Sequence, residues 1–338
     1  MAIKRRVKKQ VNKRSRAEVK TLPTIKLLQD NFERYLEVEI SNGNASEDTK
    51  RTYRSYLKQF LRWCDLQEIY PARVKSPEII SYRSYLISEG KSTNTISLAL
   101  ITLRHFYKSN QGLVTENPTN NIKPPKNRRN AQTRLTYCNL AQLAQLLNQV
   151  EVATKSNPLR RLRDLAIICL MAIQGCRVVE IHRANVGDLR REEHWDLWIE
   201  GKNSQRLIAL RDDLMLLCQS YLDALTILLG ELDNHSPLFI SFSNRTFGQR
   251  LSRRGIGYVI DNYLTQCNIK RIDNHQSRSA HSLRHTAGTL SLAGGASLRE
   301  VQDLLGHRDP ETTAIYAHVL DRYENNPANR IALKLDEI

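Results

Sequence analysis

The stretch from 117 to 134 constrains this chain more than any other. Pro118, Pro124 and Pro125 interrupt helix, while Lys123, Lys126, Arg128, Arg129 and Arg134 add five positive charges and no acid. Proline lacks a backbone donor and pushes the residue before it toward extended conformations, so an extended linker is expected here. The 338 residues therefore divide into a smaller domain over 21–116 and a larger one over 135–338. A basic linker between two basic domains suggests a clamp around something acidic.

Helical periodicity fills the smaller domain. Leu27, Leu28, Phe32, Tyr35, Leu36 and Ile40 form one apolar stripe. Ser46 is placed to cap a second helix carrying Tyr53, Tyr56, Leu57, Phe60, Leu61 and Cys64. A third helix starts at Ser76 with Pro77 in its first turn, and a fourth covers roughly 93–109. Four short helices predict a small all-α bundle. Lys50, Arg51, Arg54, Lys91 and Arg104 lie between the stripes. With Lys123, Lys126, Arg128 and Arg129 they are candidate contacts to an acidic partner.

The larger domain is expected to be mainly α with a small antiparallel sheet. Leu140, Leu143, Leu147 and Val150 mark one helix, and Leu162, Leu165, Ile168 and Cys169 the next. The period then changes: 194–200 and 205–210 read as short strands around the turn Gly201-Lys202-Asn203-Ser204. Helices are expected again at about 212–229, 256–267, 282–293, 298–305 and 311–320.

Charge points to the partner class. The balance of 51 Lys+Arg against 35 Asp+Glu gives a formal charge of +16, which favours a polyanion. Residues 1–20 hold nine Lys/Arg and one acid, Glu18, and so carry +8 of that total. They are expected to be a disordered arm able to neutralise phosphates. No apolar run is long enough for a membrane span, and the six Cys show no C-x-x-C pair. A cytoplasmic protein with reduced thiols, no structural metal and no cofactor is expected.

The chemistry concentrates near the end of the chain. His281, Arg284 and His285 lie in HSLRHTAGT, and His307 and Tyr316 in LLGHRDPETTAIYAH. Upstream stand Arg177 in GCRVVEI and Lys202 in GKNSQRLIAL. Arginine grips two phosphate oxygens with a planar fork. Histidine donates to phosphate or moves a proton near neutrality. A tyrosine hydroxyl becomes a nucleophile when its proton is removed or nearby cations favour the anion. Glu180, three residues beyond Arg177, is placed to orient that guanidinium. His285 is a candidate support for the same site.

The order Arg177, Lys202, His281-x-x-Arg284-His285, Leu305-Gly306-His307 and Tyr316 resembles the tyrosine recombinase (phage integrase) family over roughly residues 25–320. The two-domain layout resembles its simpler, Xer-like members. The resemblance implies a SAM-like core-site-binding domain, then a catalytic domain that cuts and rejoins double-stranded DNA without metal through a 3′-phosphotyrosine. It further implies a homotetramer exchanging strands through a four-way junction in a prokaryotic nucleoid, with a directionality protein as a possible partner. Arg177, Arg284 and His307 would hold the scissile phosphate, Lys202 would protonate the leaving 5′-oxygen, and Tyr316 would attack. For His281 the residues leave two roles open, proton partner of the tyrosine or further phosphate donor. A type IB topoisomerase would share this chemistry, and a DNA-binding regulator could keep the fold without the reaction.

Overall fold

The apolar stripes of the first domain become four helices: α1 (Ile25–Val38), α2 (Glu47–Leu66), α3 (Ser76–Ser88) and α4 (Thr93–Ser109). Thr24, Ser46 and Ser92 each accept a hydrogen bond from the backbone N–H three residues on, which satisfies a donor the helix leaves free. At the start of α3, Glu78 instead folds back to accept from the Lys75 N–H, behind Pro77. The computed structural model describes residues 22–114, 116–125, 135–191, 194–201, 205–273, 276–307 and 309–316. Its backbone separates into two compact units at Asn130 and Ala131.

Leu28, Phe32, Leu57, Phe60, Tyr82, Leu100 and Phe106 share the core of the first unit. Phe60 meets Tyr82 edge-on at 5.1 Å between ring centroids, the arrangement that ring quadrupoles favour. Buried Asn110 donates to the Leu28 and Phe106 carbonyls at 3.1 and 2.9 Å, tying α1 to the end of α4.

Charge placement in this unit departs from expectation at Lys50. Its ammonium is buried and paired with Glu37 and Glu47, so it does not stand on an open basic face. A buried ammonium needs such partners, and α1 and α2 supply them. Arg54 pairs with Glu33 at 2.9 Å, and exposed Arg51 pairs with Asp48. Arg104 donates to the Ile122 carbonyl at 2.6 Å. Lys91 and Lys123 are exposed. Lys126, Arg128 and Arg129 lie outside the described residues, as does the arm over 1–20.

The first part of the expected linker is folded onto the helices. Ile122 is buried in the first core, Thr119 is buried, and Asn117 Oδ1 accepts from the Thr119 N–H at 3.0 Å. Arg83 donates to the Lys123 carbonyl at 2.8 Å. One apolar anchor and two guanidiniums hold a segment whose prolines and charges suggested a free strand.

The second unit contains α5 (Leu140–Ala153), α6 (Pro158–Ala172), α7 (Val178–Arg183), β1 (Leu189–Arg191), β2 (Trp195–Glu200), β3 (Gln205–Ala209), α8 (Asp212–Leu229), α9 (Arg253–Gln266), α10 (Ala280–Ala293) and α11 (Leu298–Leu305). Residues 310–316 are again helical. The sheet is antiparallel in the order β1-β2-β3, with Leu189 opposite Leu197 and Trp198 opposite Leu207. Strand β1 was not expected, since three residues are too few for an alternation to be read.

Helix α6 runs through the middle and packs on α8 and α10. Ile167, Ile168, Leu170 and Met171 are all fully buried, the pattern of a helix apolar on every side. At its start, buried Arg163 and Asp164 pair at 2.6 Å. Arg163 also donates to the Ile240 carbonyl, and Tyr263 on α9 donates to the second Asp164 oxygen, both short bonds of 2.8 and 2.7 Å. Among the described residues, no helix is long and apolar enough to cross a membrane.

Candidate active site

Three backbone features build the site. After α6 ends, Gly175 turns with φ +67° and places Arg177 as the residue preceding α7. Helix α10 presents His281, Arg284 and His285 on successive turns. Helix α11 ends at Gly306 in the left-handed conformation, φ +60°, which releases the chain toward His307. Residues 310–316 then return Tyr316 to α10.

The end of α11 carries unpaired carbonyls and partial negative charge, and arginines gather there. Arg284 donates to the Leu305 carbonyl at 2.5 Å and to the Gly175 carbonyl. Arg177 reaches the Gly306 carbonyl at 3.4 Å. Glu180 grips Arg177 twice, accepting from Nη1 at 2.8 Å and from its backbone N–H at 2.7 Å. Glu180 is itself buried and Arg177 one-third exposed, so the carboxylate anchors from below and the guanidinium keeps an open edge.

His285, not His281, lies against the nucleophile candidate. The Tyr316 hydroxyl and His285 Nδ1 are 2.9 Å apart, a hydrogen bond whose proton either atom can carry. His281 packs on His285 with ring centroids 4.4 Å apart. His307 stacks nearly parallel to Tyr316, and its Nδ1 is 2.9 Å from the hydroxyl of buried Thr313. Tyr316 is 1% exposed. A side chain on Gly288 of α10 would sit 2.9 Å from Tyr316 Cζ, so the missing Cβ makes room for the ring.

The electrostatics follow from burial among cations. Burial, then His281 and Arg284, hold His285 down to about 4, and burial with Arg284 and Arg177 does the same to His307. His281 is lowered for similar reasons. These imidazoles are therefore neutral at physiological pH, able both to accept and to donate. Burial lowers Arg284 to about 10, still charged near neutrality. Burial raises the Tyr316 hydroxyl, while Arg284 and Arg177 pull it the other way.

The structure thus brings Arg177, Glu180, His281, Arg284, His285, His307 and Tyr316 into one place. Lys202 lies outside the described residues, between the end of β2 and the start of β3. Sequence reasoning missed Arg206, whose guanidinium reaches the same helix end: Nη1 donates to the Leu304 carbonyl at 2.5 Å, and Nη2 lies 3.5 Å from Glu180 Oε2. Strand alternation carried the signal, because Arg206 shares the inward face of Ile208. Thr313 was also missed.

This arrangement suits an oxyanion with a tetrahedral centre. Two guanidiniums and neutral imidazoles converge beside a hydroxyl, and the one carboxylate among them is already bound by arginine. Residues 136–322 match the family described as "Phage integrase family", and residues 28–113 match "Phage integrase, N-terminal SAM-like domain". The chain is 30% identical to a tyrosine recombinase XerC of Thermodesulfovibrio yellowstonii over 83% of this chain and 89% of that protein. It is 28% identical to a tyrosine recombinase XerD of Bifidobacterium longum over 84% of this chain and 90% of the other. Its fold is similar to that of a XerH site-specific recombinase solved with a palindromic difH substrate after cleavage, with TM-score 0.67, 20% identity, and 90% and 84% of the two chains covered. It is also similar to a lambda integrase tetramer solved on a Holliday junction, with TM-score 0.64, 17% identity, and coverage of 92% and 80%.

Proposed function

This chain belongs to the phage integrase family and is a site-specific recombinase, and from that premise we propose that Tyr316 cuts DNA by attacking a phosphodiester held between Arg177 and Arg284. The Tyr316 oxygen bonds to phosphorus as the bond from phosphorus to the 5′-oxygen breaks, leaving a 3′-phosphotyrosine and a free 5′-hydroxyl. The hydroxyl proton passes to neutral His285, which already touches it, and Lys202 protonates the departing oxygen. Arg177 and Arg284 neutralise charge that grows on the non-bridging oxygens, and His307 adds a third donor. Because the phosphotyrosine keeps the energy of the diester, the reverse attack by a 5′-hydroxyl reseals the strand without a nucleotide cofactor.

The observation that carries this reading is the contact between Tyr316 and His285 inside a cluster of cations. Double-stranded DNA is the proposed partner, contacted by the basic arm, the exposed cations of the first unit and the linker. A tetramer on a four-way junction is proposed by analogy with the lambda integrase assembly. The work of charge stabilisation is assigned to arginine and histidine, so cleavage is expected in EDTA.

The test uses genomic DNA fragments from the cells that encode the chain, first enriched for covalent capture, then rebuilt as duplexes nicked beside the cleavage position. Wild type in EDTA should give a protein–DNA band on a denaturing gel and Tyr316→Phe none, with both still shifting the duplex on a native gel. A band of equal strength from Tyr316→Phe would contradict the reading.

A further inference from the structure

Arg206 has no role in the reaction just described, yet it sits at the junction of its parts. Its side chain is 14% exposed. Nη1 donates to the Leu304 carbonyl at 2.5 Å and reaches the Asp303 carbonyl at 3.4 Å. Nη2 faces Glu180 Oε2 at 3.5 Å, while the other oxygen of that carboxylate holds Arg177. Three guanidiniums therefore divide one helix end, Arg206 taking residues 303 and 304, Arg284 taking 305 and Arg177 taking 306.

Stability alone is a poor reason for this arrangement. Arg206 Nε is buried without a partner among the described residues. Burial and neighbouring Arg177 both disfavour the Arg206 charge, and Glu180 only partly offsets them. A buried cation among cations costs folding free energy. The backbone has also been shaped around it: a Cβ on Gly306 would lie 2.6 Å from Arg206 Nη1 and 2.8 Å from its Cδ. So Gly306 serves the left-handed end of α11 and clears the seat for Arg206 at once.

We propose that Arg206 is a positioning residue for the phosphate clamp, an inference that rests on the reading of Arg177 and Arg284 given above. By occupying the Leu304 carbonyl and facing the Glu180 oxygen that the Arg177 backbone N–H also holds, it leaves Leu305, Gly306 and the second Glu180 oxygen to the guanidiniums of the two phosphate-holding arginines. Without it the Leu304 carbonyl loses its side-chain partner and Glu180 Oε2 keeps just the Arg177 backbone N–H, and Arg177 and Arg284 turn inward to fill the gap. Their outward N–H groups then no longer meet the non-bridging oxygens. A displacement of about an ångström in such a site lowers the rate roughly 100-fold.

The distinguishing readout is the charge on the substrate. Single-turnover cleavage is measured on the captured nicked duplex carrying either the natural phosphodiester or an uncharged methylphosphonate at the cleavage position. Melting temperature and duplex binding are recorded for every variant. Arg206→Ala should slow the diester about 100-fold relative to wild type and leave the methylphosphonate rate near that of wild type, because a neutral phosphorus centre needs no cationic clamp. Arg206→Lys keeps the charge without the fork, and should show the same selective loss at smaller size even if the alanine variant folds poorly. Equal losses on both substrates, or no loss on the diester, would overturn the proposal. Failure of the wild-type chain to form any covalent product on the diester would instead remove the underlying reading of the site.

Discussion

Lys50 in the first unit and Arg284 in the second are both nearly closed off from solvent, at 6% and 2% exposure, and the fold answers them in opposite ways. Lys50 meets two carboxylates, Glu37 and Glu47, and its charge is cancelled where it stands. Among the described residues Arg284 donates to carbonyl dipoles alone, with Arg177 and Arg206 nearby and Glu180 shared among them. Balanced cations hold elements together. A surplus of cations is tolerated where a missing negative charge arrives with the substrate. The second unit contains its own control for this rule, since buried Arg163 is matched by Asp164 and further fixed by Tyr263.

The comparison is broken most severely at the surplus site. Arg177→Ala and Arg284→Ala should each lower single-turnover cleavage by roughly 100- to 1000-fold, the range for removing one donor to a charged transition state. The melting temperature of Arg284→Ala should stay close to that of wild type, because an uncompensated charge is removed, whereas Arg177→Ala takes the nearer cation from buried Glu180 and should lower it. A cleavage loss that merely tracked unfolding would erase the distinction.

Asp164→Ala applies the opposite pressure. It strands a buried guanidinium and should cost about 3–5 kcal/mol in urea unfolding. A loss below about 1 kcal/mol would mean that the pair behaves like a surface contact. Where Glu180→Gln is concerned, the fold should survive and cleavage fall roughly tenfold, since an amide cannot hold two guanidiniums.

The imidazoles sharpen the comparison through pH. An unfolded histidine titrates near 6.5, whereas His285 and His307 are held at about 4 in the fold. The unfolded chain therefore binds more protons between those values, and stability rises with pH there. The contribution is fully present above about pH 6.5 and is lost as pH falls toward 4. Melting curves from pH 7 to 5 should show this loss, and His285→Gln with His307→Gln should flatten it. At the small end, Tyr82 buries its hydroxyl without a partner among the described residues. Tyr82→Phe should thus be neutral or stabilising by up to about 1 kcal/mol, and a clear destabilisation would reveal a bond not yet accounted for.

What could be read from the sequence divides along the same physical lines. Apolar stripes at helical spacing located the helices because burial imposes that period on the residues themselves. The folded stretch 117–125 was misread, since Ile122 is its one buried aliphatic side chain while three prolines and its neighbours' charges dominate the composition. The separated motifs identified Arg177, Arg284, His307 and Tyr316 as candidates. Their mutual contacts were not legible, because the hydrogen bond between His285 and Tyr316 depends on how residues 310–316 return to α10. Lys50 passed for a surface cation because its second carboxylate, Glu37, comes from α1, a contact that no local pattern encodes, while Glu47 on its own helix is the usual partner of an exposed lysine.

The central claim is that phosphate charge completes the surplus site and that Tyr316 takes the DNA strand. The most direct measurement is to digest the covalent product of the nicked duplex with protease and nuclease and sequence the modified peptide by mass spectrometry. The account predicts a nucleotide joined through its 3′-phosphate to Tyr316 and to no other residue. Attachment elsewhere, or a cut strand with no residue attached, would contradict it.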